Sequence, residues 1–322
     1  MQQRHPIRRA AGFLLGFFAL FFLAAFAVSM MHERSAGRMS FGGERSVALV
    51  PLEGEISRSD DFVETLQDLA ERPGIGAVVV RINSPGGAVA PSQEMYTAIR
   101  RLAGTKPVVA SLGSVAASGG YYVASAADVI VASPGTLTGS IGVIMSLMNV
   151  EGLLGKLGVM PEVLKAGANK DMGSPFRALT PEDRAVFQTM LDQVHTQFID
   201  AVAAGRKMDP AEARKLADGR IYSGQQAKDL GLVDELGGLE EAVRIAGERA
   251  GIPGEPNVER VSPSRRPWWL RAVLSDEVSA PGGAGGLIGL LVALSKDADR
   301  GAAGEGATLL WRMPVVTDGI RW

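Results

Sequence analysis

PVVASLGSVAASGGYY, Pro107–Tyr122, decides how the chain reads. Val108-Val109-Ala110 is a short apolar run, the mark of a buried strand. Small residues follow (Gly113, Ser114, Ala116, Ala117, Ser118, Gly119, Gly120), and a helical pattern then begins at Tyr121-Tyr122-Val123. A serine on such a strand-to-helix turn leaves room for a substrate to approach its hydroxyl. It also lies beside the first N–H groups of a helix, which have no partner within the helix. That is where a nucleophilic serine is useful. Tight packing alone accounts for the same small residues, so the stretch needs company before it means chemistry.

Working outward, strand and helix patterns alternate. Ser46–Leu52 and Ile75–Ile82 read as strands, with a helix of period 3.6 over Asp60–Arg72 between them. Asn83-Ser84-Pro85-Gly86-Gly87 is a turn, and a helix follows from about Ala88 to Leu102. After the serine turn, Val129–Ala132 is a strand and residues 133–140 are a small-residue loop. Ile141–Met148 and Met160–Lys165 read as strands around a short helix at Gly152–Leu157. Gly167–Thr180 is a polar loop. Pro181 opens a long helix to about Ala204, with Thr180 as N-cap, and helices are expected over Asp209–Ala217, Ser223–Leu230 and Leu239–Ala250. This order predicts a parallel, layered α/β fold.

The chain has 322 residues, 46% apolar and 21% charged, enough for a sizeable core. A net charge of −2 gives no field to attract nucleic acid. With no cysteine, disulfides, thiol nucleophiles and Cys-ligated metals are excluded. The three histidines are His5, His32 and His195. The first two flank an apolar N-terminal segment, and His195 falls on an amphipathic helix, where it reads as a surface residue. A Ser-His-Asp triad or a His-rich metal site is therefore poorly supplied, and no metal or cofactor is expected.

Residues 1–9 carry Arg4, Arg8 and Arg9, and residues 10–31 follow without a charge. At ~1.5 Å per residue that run is long enough for a hydrocarbon core of ~30 Å. It reads as an uncleaved transmembrane anchor whose basic flank stays cytoplasmic. The competing reading is a cleaved signal peptide with a small-x-small site at Ala25-Phe26-Ala27. Residues 32–45 are then a linker, 46–252 the globular domain, and 253–322 a Gly/Pro-rich tail read as partly disordered.

Two further features could meet Ser118 in space. A Gly86-Gly87 pair between a buried strand and a helix lets backbone approach a ligand and aim N–H groups at a developing oxyanion. A plain βα turn would look the same. With no usable histidine, a serine nucleophile needs another base, and lysine is the usual substitute. Lys170, in the polar loop, is a candidate, although most loop lysines are simply solvated.

Taken together, the motifs resemble the S49 serine peptidases, in the short single-domain type of signal peptide peptidase A. The resemblance is carried by NSPGG (83–87), GSVAASGGYY (113–122), LTGSIGV (137–143), GANKD…SPFR (167–177) and ADGRIYSGQQA…GLVDELGG (217–238). It covers roughly residues 47–250. It implies a ClpP/crotonase-like layered fold of repeated ββα units and a Ser-Lys dyad. Ser118 falls on the nucleophile, Lys170 on the general base and Ser140 on the serine that positions the lysine. Gly87 and Gly119 supply the oxyanion-hole N–H groups. It also implies ring-shaped homo-oligomers, often octamers, in which serine and lysine come from adjacent subunits. The implied substrates are remnant signal peptides and other apolar peptides at the bacterial inner membrane, with the catalytic domain on the periplasmic side and membrane lipid as a neighbour. Ala168-Asn169 precede the lysine where the family has Tyr or Lys just before its base. Rival expectations are a membrane-protein quality-control protease of the same family, a crotonase-type acyl-CoA enzyme and a non-catalytic peptide-binding scaffold.

Overall fold

A computed structural model describes residues 45–263 and the backbone of Leu310–Arg312. The expected anchor at 10–31, and most of the tail, lie outside the described residues. No helix among the described residues is long and apolar enough to cross a membrane.

The apolar runs stack into one parallel-rich sheet. Its strands are β1 (Ser46–Glu53), β2 (Ile75–Ser84), β4 (Val108–Ala117), β5 (Val129–Ala132), β6 (Leu137–Gly139), β7 (Ile221–Ser223), β8 (Glu235–Leu236) and β9 (Val258–Arg260). The main path runs β7-β6-β4-β2-β1-β9, with β5 also pairing β4 and β8. All pairings are parallel except β6 with β7. A separate short pair joins β3 (Gly86–Ala88) to β10 (Leu310–Arg312), antiparallel.

Helices cover both faces, which is why the central strands are apolar at successive positions rather than alternately. On one face Val47, Leu49, Ala77, Val79, Val109 and Val131 pack against Ala242 and Ala246 of one helix, Leu239–Arg249. The intervening residues, such as Ala48, Val50, Val78, Val80 and Ala110, face the other way. There they meet α1 (Asp60–Glu71), α2 (Val89–Ala103) and α3 (Gly119–Ala124), with the C-terminal end of α5 (Pro181–Arg206). Two short helices bracket the connection to that long one: α4 (Glu151–Lys156) before it and α6 (Pro210–Leu216) after it. α7 (Gly224–Asp229) precedes Leu239–Arg249, which is α8. Leu66 and Leu69 of α1 are fully buried, and truncating either to alanine costs about 2–5 kcal/mol.

β4 is a strand in two halves. Val109–Leu112 pair with β5, and Val115–Ala117 pair with β6. On its other side the register jumps between Ile82↔Leu112 and Ser84↔Ala116. The bulge brings Ala116 opposite Ser84 at the end of β2, and Asn83 Oδ1 steadies it by accepting the Val115 N–H at 3.2 Å. Thr136 and Thr138 hydroxyls donate to the carbonyls of Gly113 and Ala116 at 2.8 and 2.6 Å, strapping β6 alongside.

Two expected strands are absent. Residues 141–148 are irregular apart from a single bridge at Ile144 and are mostly half-buried, with Ile141 buried, whereas 160–165 are irregular and exposed. Ile144 makes a single bridge, but a strand needs a continuous partner edge, and among the described residues neither run has one. Conversely, Leu137–Gly139 is a short strand where a loop was expected. The α5 start is as read: Thr180 Oγ1 accepts the Asp183 N–H at 3.0 Å, and Asp183 Oδ2 accepts the Thr180 N–H at 3.1 Å.

Candidate active site

Ser118 caps the C-terminal end of β4 and the start of α3. Its backbone sits at φ 54°, ψ −123°, a conformation that costs a non-glycine residue about 1–3 kcal/mol. Two backbone bonds hold it there. Its N–H donates to Gly139 O at 2.8 Å, and its carbonyl accepts the Tyr122 N–H at 2.9 Å. The side chain is fully buried, yet Oγ has no hydrogen-bond partner. A buried hydroxyl left unbonded on a strained turn is an uncommon combination, since such groups are normally paired.

The helix behind the serine is fixed firmly. Tyr121 OH donates to Leu232 O at 2.7 Å, and burial raises the pKa of that phenol. Tyr122 packs between Tyr96 and Phe198, each ring centroid 5.0 Å away. Burial, helped by Tyr96, pushes the Tyr122 phenol up to about 12, so it stays neutral. Further back, the buried Arg206 guanidinium grips Asp234, whose Oδ2 also accepts the Ile130 N–H at 2.7 Å.

Gly87 and Gly119 come together at this turn. A Cβ on Gly119 would lie 3.3 Å from Gly87 N and 2.6 Å from Ser92 Oγ, so the two glycines nearly touch. A Cβ on Gly87 would lie 2.1 Å from Ile56 O, which makes glycine obligatory there. The close approach comes from a bridge: Ile56 N–H donates to Gly86 O at 2.9 Å, and Ala88 N–H donates to Ile56 O at 2.7 Å.

Ser140 follows β6 as Ser118 follows β4, one residue past the register pair Ala117↔Gly139. It too is buried with positive φ, 52°, and its N–H donates to Arg220 O at 2.8 Å. Lys170 is not brought to this cluster within one chain. It stands exposed in a turn on the excursion 142–180, and Ser118 Oγ has no partner within bonding distance.

Asp171, next to Lys170, is a residue the sequence reading passed over. It accepts from Arg177 at 3.0 Å and from Lys165 at 2.7 Å, and those two cations hold its carboxyl far below the usual range. Arg177 also grips Asp183 at the α5 start and, with the Thr180 N–H, lowers that carboxyl's pKa. The alternation of charges in KAGANKD…R was the signal: it is a staple for the turn that carries Lys170. His195, expected on the surface, is half-buried, with Nε2 turned inward and unpartnered.

The peptidase family S49 model matches residues 100–252, the stretch holding Ser118, Gly119, Ser140 and Lys170. Residues 100–252 are a peptidase family S49 segment. Protease-named proteins of Synechocystis sp. and Methanocaldococcus jannaschii are 48% and 40% identical over 55% and 62% of this chain. The chloroplastic serine protease SPPA of Arabidopsis thaliana is 36% identical over 73% of it. The matched stretch spans 64% of each of the first two relatives and 37% of the third. Gly87 and the β1–β3 half that holds it lie ahead of the family match.

Proposed function

We propose that this chain is a serine endopeptidase with a Ser118–Lys170 dyad completed between neighbouring copies. The observation that carries the reading is Ser118 itself: a strained, buried hydroxyl with nothing bonded to it, beside two glycines whose backbones are forced together. Nothing in a packing role asks for that arrangement, whereas a nucleophile does.

The steps follow from the residues. A neutral Lys170 amine takes the Ser118 proton as Oγ attacks a peptide carbonyl. The Gly87 and Gly119 N–H groups donate to the oxyanion of the tetrahedral intermediate, each donor contributing ~2.7–4 kcal/mol. Lys170 then protonates the departing amine, and the peptide C–N bond breaks. Water, deprotonated by the same lysine, attacks the acyl-enzyme; its hydroxyl goes to the acid product and its proton returns to Ser118 through the amine. Ser140 positions the amine.

A second copy of the chain completes the site. The excursion bearing Lys170 exposes the apolar side chains of Met148, Met160 and Leu164 at 75%, 87% and 100%, the kind of surface that a partner covers. A ring of copies covers it and carries each lysine to the next serine. A basic flank and an uncharged run at 10–31 support anchoring in a membrane, and apolar remnant signal peptides are the substrate class that fits an anchored peptidase. A serine-reactive fluorophosphonate tests the reading: it is expected to label Ser118 in the assembled protein and to abolish peptide cleavage. Cleavage that persists after full labelling, or no label at Ser118, removes the nucleophile.

A further inference from the structure

The segment GANKDMGSPFR, residues 167–177, holds more ordered charge than a loop carrying one lysine requires. Lys170 and Asp171 are neighbours in one turn. The Lys170 N–H donates to Gly167 O at 3.2 Å, and the Ser174 N–H donates to Asp171 O at 3.1 Å. A free carboxylate one residue from an ammonium on a flexible four-carbon stem would pair with it and hold its proton. Asp171 is not free. Its Oδ1 accepts from Lys165 Nζ at 2.7 Å and from Arg177 Nη2 at 3.2 Å, and its Oδ2 accepts from Arg177 Nε at 3.0 Å. Beneath those two cations its side chain is only 14% exposed. Two further carboxylates next to the turn are also engaged. Asp183, in the first turn of α5, takes the opposite side of Arg177 and the Thr180 N–H, while Glu182 beside it is exposed. Glu151, at the start of α4, accepts the Ala178 N–H at 3.0 Å. Lys165 Nζ also donates to Ala168 O at 2.8 Å, two residues before Lys170. Two cations and two carboxylates thus cancel around the turn, and among the described residues no acid pairs with the Lys170 amine. Next to Ser140, which a neighbouring copy would present, Asp218 and Arg220 pair with each other.

We propose that Arg177 and Lys165 are positioning residues that withhold Asp171 from Lys170, so that the amine meets the serine with no carboxylate to keep it protonated. The inference rests on the proposed Ser118–Lys170 dyad and adds the residues that keep its base available. A lysine base works only as the uncharged amine, whereas an adjacent carboxylate favours the ammonium. Committing two cations to Asp171 removes that competitor. Arg177 does so with a bidentate grip, and its second hold on Asp183 ties the turn to the start of α5. A staple that only held the turn in shape would use the same bonds. The two roles part when Asp171 loses its charge: a withheld acid no longer needs withholding, whereas a staple is only weakened further.

Arg177→Gln in the full-length, assembled protein releases Asp171 towards Lys170. The acid limb of the kcat/KM profile for a peptide substrate is expected to move to higher pH by about 1 unit, which at pH 7 is a loss of about 10-fold. Lys165→Met removes an exposed side chain with fewer bonds and is expected to move the limb the same way by less. Asp171→Asn added to either variant is expected to return the limb to its wild-type position, although it weakens the turn. A purely structural staple predicts an equal loss at every pH that deepens when Asp171 is changed. That result, or a limb that stays in place in Arg177→Gln, overturns the proposal. Where Arg177→Gln does not assemble, Lys165→Met with and without Asp171→Asn carries the same test. Competitive acetylation of the Lys170 amine with acetic anhydride, read as its rate at pH 7 relative to pH 10, reports the uncharged amine without turnover. It is expected to fall in Arg177→Gln and Lys165→Met and to recover with Asp171→Asn. Full peptide cleavage by Lys170→Ala would remove the base reading. Acetylation then decides by itself: a fall that Asp171→Asn reverses upholds the withheld carboxylate, and unchanged acetylation ends it.

Discussion

The backbone N–H of Ser118 donates to Gly139 O at 2.8 Å, so the end of β4 is pinned to the end of β6 with Ser140 one residue beyond. This bond holds Ser118 in a conformation its side chain disfavours, and it aligns two buried serines at the mouth of one sheet. The surrounding fold is stable enough to impose that strain.

Removing the strain should stabilise the protein while destroying the site. Ser118→Gly accepts φ 54° without penalty and is expected to raise unfolding free energy by about 1 kcal/mol. Ser118→Ala keeps the strain and loses only an unbonded hydroxyl, so its melting temperature is expected to stay near wild type. Both variants should lose at least ~10³-fold in peptide hydrolysis. Denaturant titration and a peptide assay check the two effects separately. A hydroxyl that secretly stabilised the fold would reveal itself as a large loss in Ser118→Ala.

Close packing of the two glycines gives a sharper expectation. In Gly119→Ala the new methyl meets Ser92 Oγ at 2.6 Å, and Ser92 is held by its own bond to Ala88 O at 2.8 Å. Displacement of the Gly87–Gly119 pair by a fraction of an ångström should cost about 10- to 100-fold in kcat/KM. Adding Ser92→Ala removes the obstructing oxygen and should recover much of that loss. If the double variant is no better than the single, the clash is not what impairs it.

Acid should loosen the excursion before the core. Asp171 and Asp183 are both held below their unfolded pKa by Arg177, so they bind fewer protons folded than unfolded. Their stabilising contribution is complete above about pH 4 and disappears as pH falls through the depressed folded values. Asp183→Asn is therefore expected to destabilise at pH 7 and to differ less from wild type at pH 3. At neutral pH the variant keeps an amide oxygen that can accept the Thr180 N–H but loses the charge that Arg177 grips, and that loss is the destabilisation expected. Thermal melts at the two pH values check the sign.

The layered architecture was legible because buried parallel strands leave continuous apolar runs, as Ala77–Val80 does, and because Thr180-Pro181 and Ser223 are strong helix starts. Ser118 and Gly87 were legible for a related reason: small residues cluster where backbones must approach closely. The failures have one cause. Ile141–Met148 and Met160–Lys165 have strand composition, but strand structure depends on a continuous partner edge, and among the described residues neither run finds one. The pairing of β10 with β3, and of β9 with β1, is likewise between segments far apart in sequence, with no local periodicity to announce it. Lys170 could be named from its motif, yet its separation from Ser118 within one chain follows only from where the excursion points.

The central claim, a serine from one copy served by a lysine from the next, is tested most directly by mixing two disabled proteins. Ser118→Ala and Lys170→Ala are each expected to be inactive and fully folded, since neither side chain has a bonding partner in the isolated chain. Dissociated and reassembled together in equal amounts, they should recover about a quarter of wild-type peptide hydrolysis, the share of interfaces that pair an intact serine with an intact lysine. Mixed assemblies that form but stay inactive would show that the two residues do not act across the interface.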